Sequence, residues 1–335
     1  MLTLGIETSC DETAVAVVED GNVLASEVSS SVELHSVYGG VVPEIASRYH
    51  TEYIFSVAEK ALKDAGRNVG DINIVAVTGG PGLAGSLLVG IAFAKAISFS
   101  LGVPIVAVNH LMAHIFACFI GDEGRFNVTE YPFAGMVISG GHTSIYEVRS
   151  LGDAVIISRT IDDAVGEAFD KVAKILALGY PGGPYVEKAA SEFSGCEEIK
   201  FPRALLQDAD NMDFSFSGLK TAVMYRWRDS EKNDAEKRRI CYSFQKAVID
   251  VVEKKILRVL EATGLRTLAV GGGVVNNKAL RAAIGEICAD RGVKLYLPQK
   301  NYCADNAAMT AVLGEALYKT GFRSDLLMNA LPNAV

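Results

Sequence analysis

The sequence contains the same order of predicted elements twice, and this duplication limits the possible folds more than any other feature. Apolar or alternating runs predict three strands in the first copy, at residues 2–7, 14–19 and 23–29, the last two joined by the turn Asp20-Gly21-Asn22. Apolar residues at helical spacing predict a helix over residues 43–65, and a strand, a helix, a strand and a helix follow it. The first copy therefore has the order β-β-β-α-β-α-β-α.

The second copy begins near residue 133 with three strands and a helix over residues 164–177. After an interruption, a long helix over residues 234–263 is followed by a strand, a helix, a strand and a helix, which completes the same order. We therefore predict an α/β protein with two duplicated domains, residues 1–130 and 131–335, and an inserted segment around 179–233 in the second. Each domain is expected to hold a mixed sheet flanked by helices, with a cleft between the domains.

Turns rich in glycine and hydroxyl residues follow predicted strands in both copies. They lie at residues 8–13, 79–82, 139–143 and 271–273. Glycine lets the backbone approach a ligand closely, and successive N–H groups can then bind an anion. A tight turn without a ligand explains each one alone, but their recurrence at corresponding strand ends predicts a phosphate-binding site.

Two of the five histidines, His110 and His114, lie four residues apart at the start of a predicted helix. This spacing places both imidazoles on one helix face, which suits a shared metal ion, although two capping or core histidines would show the same spacing. A zincin peptidase needs a glutamate directly after the first histidine, where this chain has Leu111. Asp305 could complete a site for iron(II) or zinc(II), or it could simply cap the last helix.

The charge of the chain is acidic overall but basic in one segment. The 335 residues are 50% hydrophobic and carry a formal net charge of -8, which excludes a disordered chain and argues against a protein that coats nucleic acid. Residues 220–258 nevertheless contain 11 Lys and Arg against 6 Asp and Glu, a local net charge of +5. This segment could contact nucleic-acid phosphates, or it could be the ordinary solvated face of a helix.

Cysteine usage and hydropathy predict the compartment. The six cysteines are far apart and form no C-x-x-C pair, which favours a reducing cytosol. The apolar stretch over residues 83–101 is interrupted by Lys95, so we expect a buried helix rather than a membrane span. The predicted location is cytoplasmic.

Nine motifs, in order along essentially the entire chain, resemble those of the TsaD family, formerly called Gcp. They are GIETSCDET at residues 5–13, GGVVPE at 39–44, the histidine pair at 109–114, SGGHT at 139–143, FDK at 169–171, YPGGP at 180–184, FSFSGLK at 214–220, GGVVN at 272–276 and DN at 305–306. The resemblance implies an actin/hexokinase/Hsp70-like (ribonuclease H-like) fold, which agrees with the duplicated order. It also implies a tRNA N6-adenosine threonylcarbamoyltransferase.

By this resemblance, the enzyme transfers the threonylcarbamoyl group of threonylcarbamoyl-AMP to N6 of the adenosine at tRNA position 37, in tRNAs that read ANN codons, and releases AMP. His110, His114 and Asp305 correspond to ligands of one divalent metal per subunit, Fe²⁺ before Zn²⁺. Asp11 and Glu12 are candidates for orienting the incoming amine. The substrate would contact Val137, Ile138, Ser139, Gly140 and Gly141, with Asp170, Gly183, Glu187 and Asn276 at the nucleoside.

The resemblance further implies partners: tRNA, a paralogous subunit of the same fold called TsaB, a small ATPase called TsaE, and a synthase that makes the adenylate. No membrane partner is expected. The helix over residues 43–63 is a candidate dimer surface, although its apolar stripe could equally be core packing.

Three other functions compete with this interpretation. A sugar kinase or ATPase of the same fold would use ATP with magnesium and a carboxylate near Asp11. A metallopeptidase could use the two histidines, and a non-catalytic relative would only dimerise. Both histidines, Asp305 and the glycine turns are present, which disfavours the non-catalytic relative.

Overall fold

The computed structural model describes residues 1–128, 130–195 and 197–333. Its strands are β1 (Leu2–Glu7), β2 (Glu12–Glu19), β3 (Asn22–Ser30), β4 (Ile74–Gly80), β5 (Ile105–Asn109), β6 (Phe133–Ile138), β7 (Thr143–Ser150), β8 (Asp153–Arg159), β9 (Thr267–Gly271) and β10 (Lys294–Tyr296). Its helices are α1 (Val32–Ser36), α2 (Pro43–Asp64), α3 (Ala84–Leu101), α4 (His110–Ala117), α5 (Val165–Ile175), α6 (Gly182–Ser191), α7 (Ser217–Arg228), α8 (Asp234–Thr263), α9 (Lys278–Asp290) and α10 (Ala307–Lys319). The predicted order of elements is confirmed, with the short helix α1 added and with α6 and α7 in the predicted insertion.

The chain divides into two compact units, Met1–Glu130 with Leu297–Val335, and Tyr131–Tyr296. The sequence analysis assigned residues 297–335 to the second domain, and the structure corrects this assignment. The reason is close packing of α10 on the first sheet. A Cβ at Gly5 of β1 would lie 2.5 Å from Cβ of Ala311, and a Cβ at Gly314 of α10 would overlap Ala76 of β4, so two glycines let the helix and the strands approach.

The sheet of the first unit has the strand order β3-β2-β1-β4-β5. Neighbouring strands β1, β2 and β3 are antiparallel, whereas β4 is parallel to both β1 and β5. Every residue of β1 and β4 is buried, as continuous apolar runs in central strands require. The carboxyl ends of β1, β4 and β5 therefore lie at one edge of this sheet, where the candidate ligands follow.

The sheet of the second unit repeats this topology in the order β8-β7-β6-β9-β10. Strands β6, β7 and β8 are antiparallel, and β9 is parallel to β6 and β10. The duplicated α/β fold predicted from the order of elements is thus confirmed.

Helix α3 is long and apolar enough to cross a membrane by length and composition. Its side chains Leu87, Ile91 and Ala94 are nevertheless buried in the core of the first unit, against Val75 and Val77 of β4. One face of α3 therefore contributes to the core. Only 33% of the helix is buried, and Leu88 and Phe99 are exposed, so the expectation of a buried helix for residues 83–101 holds for that face alone.

Candidate metal centre and substrate-binding residues

The two histidines lie at the junction between β5 and α4. Asn109 ends the strand and caps the helix, because its Oδ1 accepts hydrogen bonds from the backbone N–H of Leu111 (2.9 Å) and Met112 (3.0 Å). One helical turn then stacks the rings of His110 and His114, whose centroids are 4.6 Å apart. Both side chains are buried. Nδ1 of His110 contacts Glu7, whereas Nδ1 of His114 has no hydrogen-bond partner among the described residues.

Asp305 supplies the carboxylate that faces both rings. Its Oδ1 lies 3.0 Å from Nε2 of His114 and 3.7 Å from Nε2 of His110. The alternative that Asp305 caps the last helix is wrong, because the cap is Asn306, whose Oδ1 accepts from the N–H of Met309 (3.0 Å). Asp305 is therefore left to contact the histidines.

The donor set of this cluster fits a divalent metal. One ligand atom from each of His110, His114 and Asp305 lies within 4.8 Å of the others. Two imidazole nitrogens and one carboxylate oxygen suit iron(II) or zinc(II), and they leave coordination positions open for a substrate.

A second carboxylate, Glu7 at the end of β1, contacts the far side of His110. Its Oε2 lies 3.0 Å from Nδ1 of His110, and it accepts hydrogen bonds from Oγ1 of Thr78 (2.5 Å) and from the N–H of Ser9 (2.6 Å). Burial lowers the pKa of His110, but the negative charges of Glu7 and Asp305 outweigh it and raise that pKa to about 9. Burial raises the pKa of Glu7, and His110 more than offsets this, so the pKa is lowered. The sequence analysis did not single out Glu7, although a charged residue that ends an apolar strand was a visible signal.

Asp11 lies in the turn between β1 and β2, and Glu12 is the first residue of β2, in the same unit as the metal centre. Asp11 is buried, and Glu12 accepts a hydrogen bond from Oγ of Ser30 (3.3 Å). Burial first, and then the negative charges of Asp11 and Asp305, hold the pKa of Glu12 well above its usual range. Glu12 thus belongs to the electrostatic surroundings of Asp305, and Asp11 lies beside Glu12.

In the second unit, the turn at residues 139–141 follows β6 and contacts the start of α5. The carbonyl oxygens of Ser139 and Gly140 accept hydrogen bonds from the N–H groups of Gly166 (3.2 Å) and Glu167 (3.1 Å). A Cβ at Gly166 would lie 2.7 Å from Cα of Gly140, so this close approach needs glycine. Sequence reasoning missed Gly166. Gly140 and Gly141 border open space, as a turn that admits a ligand must.

The predicted nucleoside-binding residues also lie in the second unit, near the starts of α6 and α9. Oδ1 of Asp170 accepts from the N–H of Gly182 (2.6 Å), next to Gly183. Oε1 of Glu187 accepts from the N–H of Lys278 (2.7 Å), two residues after the exposed Asn276. These two hydrogen bonds connect α5 to α6 and α6 to α9, the elements that carry or adjoin the predicted nucleoside-binding residues.

Neither a helix cap nor close packing explains Asn276 and Gly183 in the described contacts. The cap of α9 is Asn277, whose Oδ1 accepts from the N–H of Leu280 (2.9 Å), so Asn276 does not serve as that cap. Gly182 is required by packing, because a Cβ there would lie 2.6 Å from Cα of Asp170, whereas Gly183 borders open space. Asn276 and Gly183 thus have no capping or packing role that accounts for them among these contacts.

The glycine turn at residues 79–82 packs against the C-terminal segment. The N–H of Leu331 donates to the carbonyl oxygen of Gly79 (2.9 Å), and the N–H of Gly82 donates to that of Pro332 (3.1 Å). A Cβ at Gly80 would overlap Leu331. Packing therefore explains these glycines, and this turn is removed from the predicted phosphate-binding set.

The basic segment 220–258 is extensively ion-paired. Its arginines and lysines at the start of α8 contact acidic residues: Lys237 with Asp234, Arg238 with Glu192, and Arg239 with Glu197. On α7, Arg226 contacts Glu236 (2.6 Å). Much of the local positive charge is thus neutralised within the protein.

Among the cysteines, Cys10, Cys241 and Cys288 are free thiols, and Cys196 lies outside the described residues.

Two units with the same strand topology, one of them carrying a two-histidine, one-carboxylate cluster, define an actin/hexokinase/Hsp70-like protein with a candidate metal centre. Solved structures that share the fold include HypF of T. kodakarensis (TM-score 0.63, 14% identity, 96% of this chain and 48% of that one). Component A of (R)-2-hydroxyglutaryl-CoA dehydratase from Acidaminococcus fermentans also shares it (TM-score 0.55, 14% identity, 96% and 98% covered). At these identities the likeness concerns the fold alone.

The family model for TsaD, described as tRNA N6-adenosine threonylcarbamoyltransferase, matches residues 22–312. Relatives of that name include one from Thermodesulfovibrio yellowstonii, 47% identical and covering 98% of both chains. Another, from Geobacter metallireducens, is 48% identical over 99% of this chain and 96% of its own. The chain belongs to the TsaD family of tRNA N6-adenosine threonylcarbamoyltransferases. It is a transferase.

Proposed function

We propose that this enzyme transfers the threonylcarbamoyl group from threonylcarbamoyl-AMP to N6 of the adenosine at tRNA position 37, in tRNAs that read ANN codons. In this reaction the N6 lone pair attacks the carbamoyl carbonyl carbon, the bond from that carbon to the phosphate oxygen of AMP breaks, and N6 loses a proton. The observation that carries the proposal is the buried cluster of His110, His114 and Asp305, in a member of this family.

His110 and His114 through Nε2, and Asp305 through Oδ1, would hold one divalent ion per subunit, Fe²⁺ before Zn²⁺. When bound, such an ion supplies positive charge that orients and polarises a carbonyl group. The protein fixes the ligands beforehand, because Asn109 caps α4 and Asn306 caps α10 on either side of the cluster. Preorganised ligands need little rearrangement during the reaction.

The residues of the second unit would bind the adenylate. The backbone at Val137, Ile138, Ser139, Gly140 and Gly141 would contact the substrate, and the open space at Gly140 and Gly141 supports this role. Asp170, Gly183, Glu187 and Asn276 would contact the nucleoside. Oδ1 of Asp170 and Oε1 of Glu187 already accept backbone hydrogen bonds, which fixes the orientation of both side chains.

Asp11 and Glu12 would orient the incoming amine. An aromatic amine is a weak nucleophile, so much of the rate must come from its position relative to the carbonyl carbon. The raised pKa of Glu12 makes its carboxylate a stronger base than an exposed glutamate, which suits hydrogen bonding to an N–H group.

The proposed partners are TsaB and TsaE, in the cytoplasm. Helix α2 buries Ile54 and Val57 in the core, but Phe55 on its other face is 74% exposed and contacts Phe93 of α3. Phe99 of α3 is 78% exposed. Exposed aromatic side chains on neighbouring helices suit a protein interface, so this surface would receive the paralogous subunit TsaB.

The test is to incubate the full chain with unmodified tRNA and threonylcarbamoyl-AMP, with and without TsaB and TsaE, and to analyse the nucleosides by mass spectrometry. We expect N6-threonylcarbamoyladenosine at position 37 and release of AMP. A matched tRNA with guanosine at position 37 should remain unmodified. Transfer of the γ-phosphate of ATP to a small acceptor without tRNA, and no modified nucleoside, would instead identify a kinase.

A further inference from the structure

The buried carboxylate of Glu7 lies next to the metal centre but outside its proposed ligand set. Its side chain is completely buried, and it ends β1 where the sheet edge meets α4. Three groups approach this carboxylate: Nδ1 of His110 (3.0 Å), Oγ1 of Thr78 (2.5 Å) and the backbone N–H of Ser9 (2.6 Å). The backbone N–H can only donate to it, and the Thr78 hydroxyl donates because an ionised carboxylate has no proton to give.

These contacts determine which ring nitrogen of His110 keeps its proton when the other nitrogen binds a metal ion. An ionised carboxylate accepts hydrogen bonds and donates none. In the contact with Glu7, the proton is therefore on Nδ1 of His110, which donates to the carboxylate. In a neutral imidazole the other nitrogen, Nε2, then has a free lone pair. That atom is the one that faces Asp305, at 3.7 Å from its Oδ1.

The same carboxylate is connected to the helix that follows Asp305. Because Thr78 donates to Glu7, the 3.1 Å contact between the Thr78 and Thr310 hydroxyls is donated by Thr310. Thr310 lies in the first turn of α10, and Asp305 lies just before that helix. Strand β4 and helix α4 thus contact this carboxylate of β1 directly, and helix α10 is connected to it through the Thr78 hydroxyl.

We infer that Glu7 is a positioning residue of the metal centre: it selects the His110 tautomer whose Nε2 is free to bind a divalent cation, and it fixes the direction of that ring. This inference rests on the proposed function only through the ligand set. Carboxylates that accept from the distal nitrogen of a ligating histidine have this effect in metal sites generally.

The test measures metal binding by the full chain, independent of transfer activity. Metal-free protein is titrated with Co²⁺, whose visible absorption reports coordination, in competition with a chelator. We expect Glu7→Gln to weaken Co²⁺ binding by about 10- to 100-fold and to change the absorption spectrum. The amide of glutamine would turn an NH₂ group toward one of the three donors, so it cannot accept from all of them.

A matched control is available in the same unit. Glu315 of α10 is also fully buried, and it accepts from Oγ1 of Thr3 (3.0 Å) rather than from either histidine. Glu315→Gln therefore removes a buried carboxylate that contacts neither histidine. Because it does not touch a metal ligand, this change should leave the Co²⁺ affinity within about twofold of wild type. Equal losses in Glu7→Gln and Glu315→Gln would overturn the inference.

A second pair of variants covers the case in which Glu7→Gln does not fold. Thr78→Val removes the hydroxyl that donates to Glu7 and should weaken Co²⁺ binding, whereas Thr78→Ser keeps it and should restore the affinity. In the Zn²⁺-loaded wild type, ¹⁵N NMR should show His110 protonated at Nδ1, and protonation at Nε2 would refute the assignment. Loss of Co²⁺ binding in Glu7→Gln, in a protein that transfers no threonylcarbamoyl group, would support the role of Glu7 and reject the proposed function.

Discussion

Gly5→Ala adds one methyl group at the closest contact between β1 and α10. The new Cβ would lie 2.5 Å from Cβ of Ala311 and 2.6 Å from the carbonyl oxygen of Ala307. Carbon atoms pack at about 3.5–4.0 Å, so the helix must move by about 1 Å. Overpacking of this kind costs about 1–3 kcal/mol.

Hydrogen exchange of the α10 amides, read by mass spectrometry, reports this loss in the unit that holds the metal centre. We expect exchange in α10 to become roughly 5- to 150-fold faster, the factor that corresponds to 1–3 kcal/mol. Because Asp305 lies two residues before α10, Co²⁺ binding should weaken as well.

Gly285→Ala is the matched control, since a Cβ at this position in α9 meets nothing within 4 Å. It should stabilise its own helix by about 0.5–1 kcal/mol and leave α10 exchange unchanged. Unchanged α10 exchange in Gly5→Ala would refute the packing account, and faster exchange with full Co²⁺ affinity would refute the coupling of α10 to Asp305.

Two further predictions concern other parts of the chain. Deletion of residues 324–335 removes the hydrogen bond that Leu331 donates to Gly79 and the one that Gly82 donates to Pro332, so we expect a lower melting temperature by calorimetry. Leu327→Ser, at an 87% exposed side chain, should leave the melting temperature unchanged, and an equally stable truncated protein would contradict the packing role of the glycine turn. Reversal of charge at Lys237, Arg238 and Arg239 should change tRNA affinity by less than about twofold, because each of these side chains is already ion-paired. The dependence of log affinity on log salt concentration should also stay the same; a slope smaller by about 3 would show that all three side chains contact phosphates.

The fold could be predicted from the sequence wherever local chemistry decided the element. Asp20-Gly21-Asn22 marks the hairpin of β2 and β3, and apolar spacing marks α2 and α8. The placement of α10 in the first unit could not be predicted in this way. It depends on Gly5 meeting Ala311, a contact between residues about three hundred positions apart, and no local pattern encodes that pairing.

The candidate site was predictable to a similar extent. The four-residue spacing of His110 and His114 places both on one face of α4, as the structure has them. The contact of Asp305 is long-range; the sequence pattern offered Asp305 equally as a third ligand or as a helix cap, and the family resemblance favoured the ligand. The glycines at 79–82 were misinterpreted, because a turn that packs against another segment needs the same residues as one that binds phosphate.

The most direct measurement of the central claim is the metal content and transfer activity of the double variant His110→Ala/His114→Ala. The account predicts about one divalent ion per wild-type chain, and a variant that loses both the ion and formation of the modified nucleoside while its hydrogen exchange outside α4 remains native. A variant that keeps the metal and full transfer activity would contradict it.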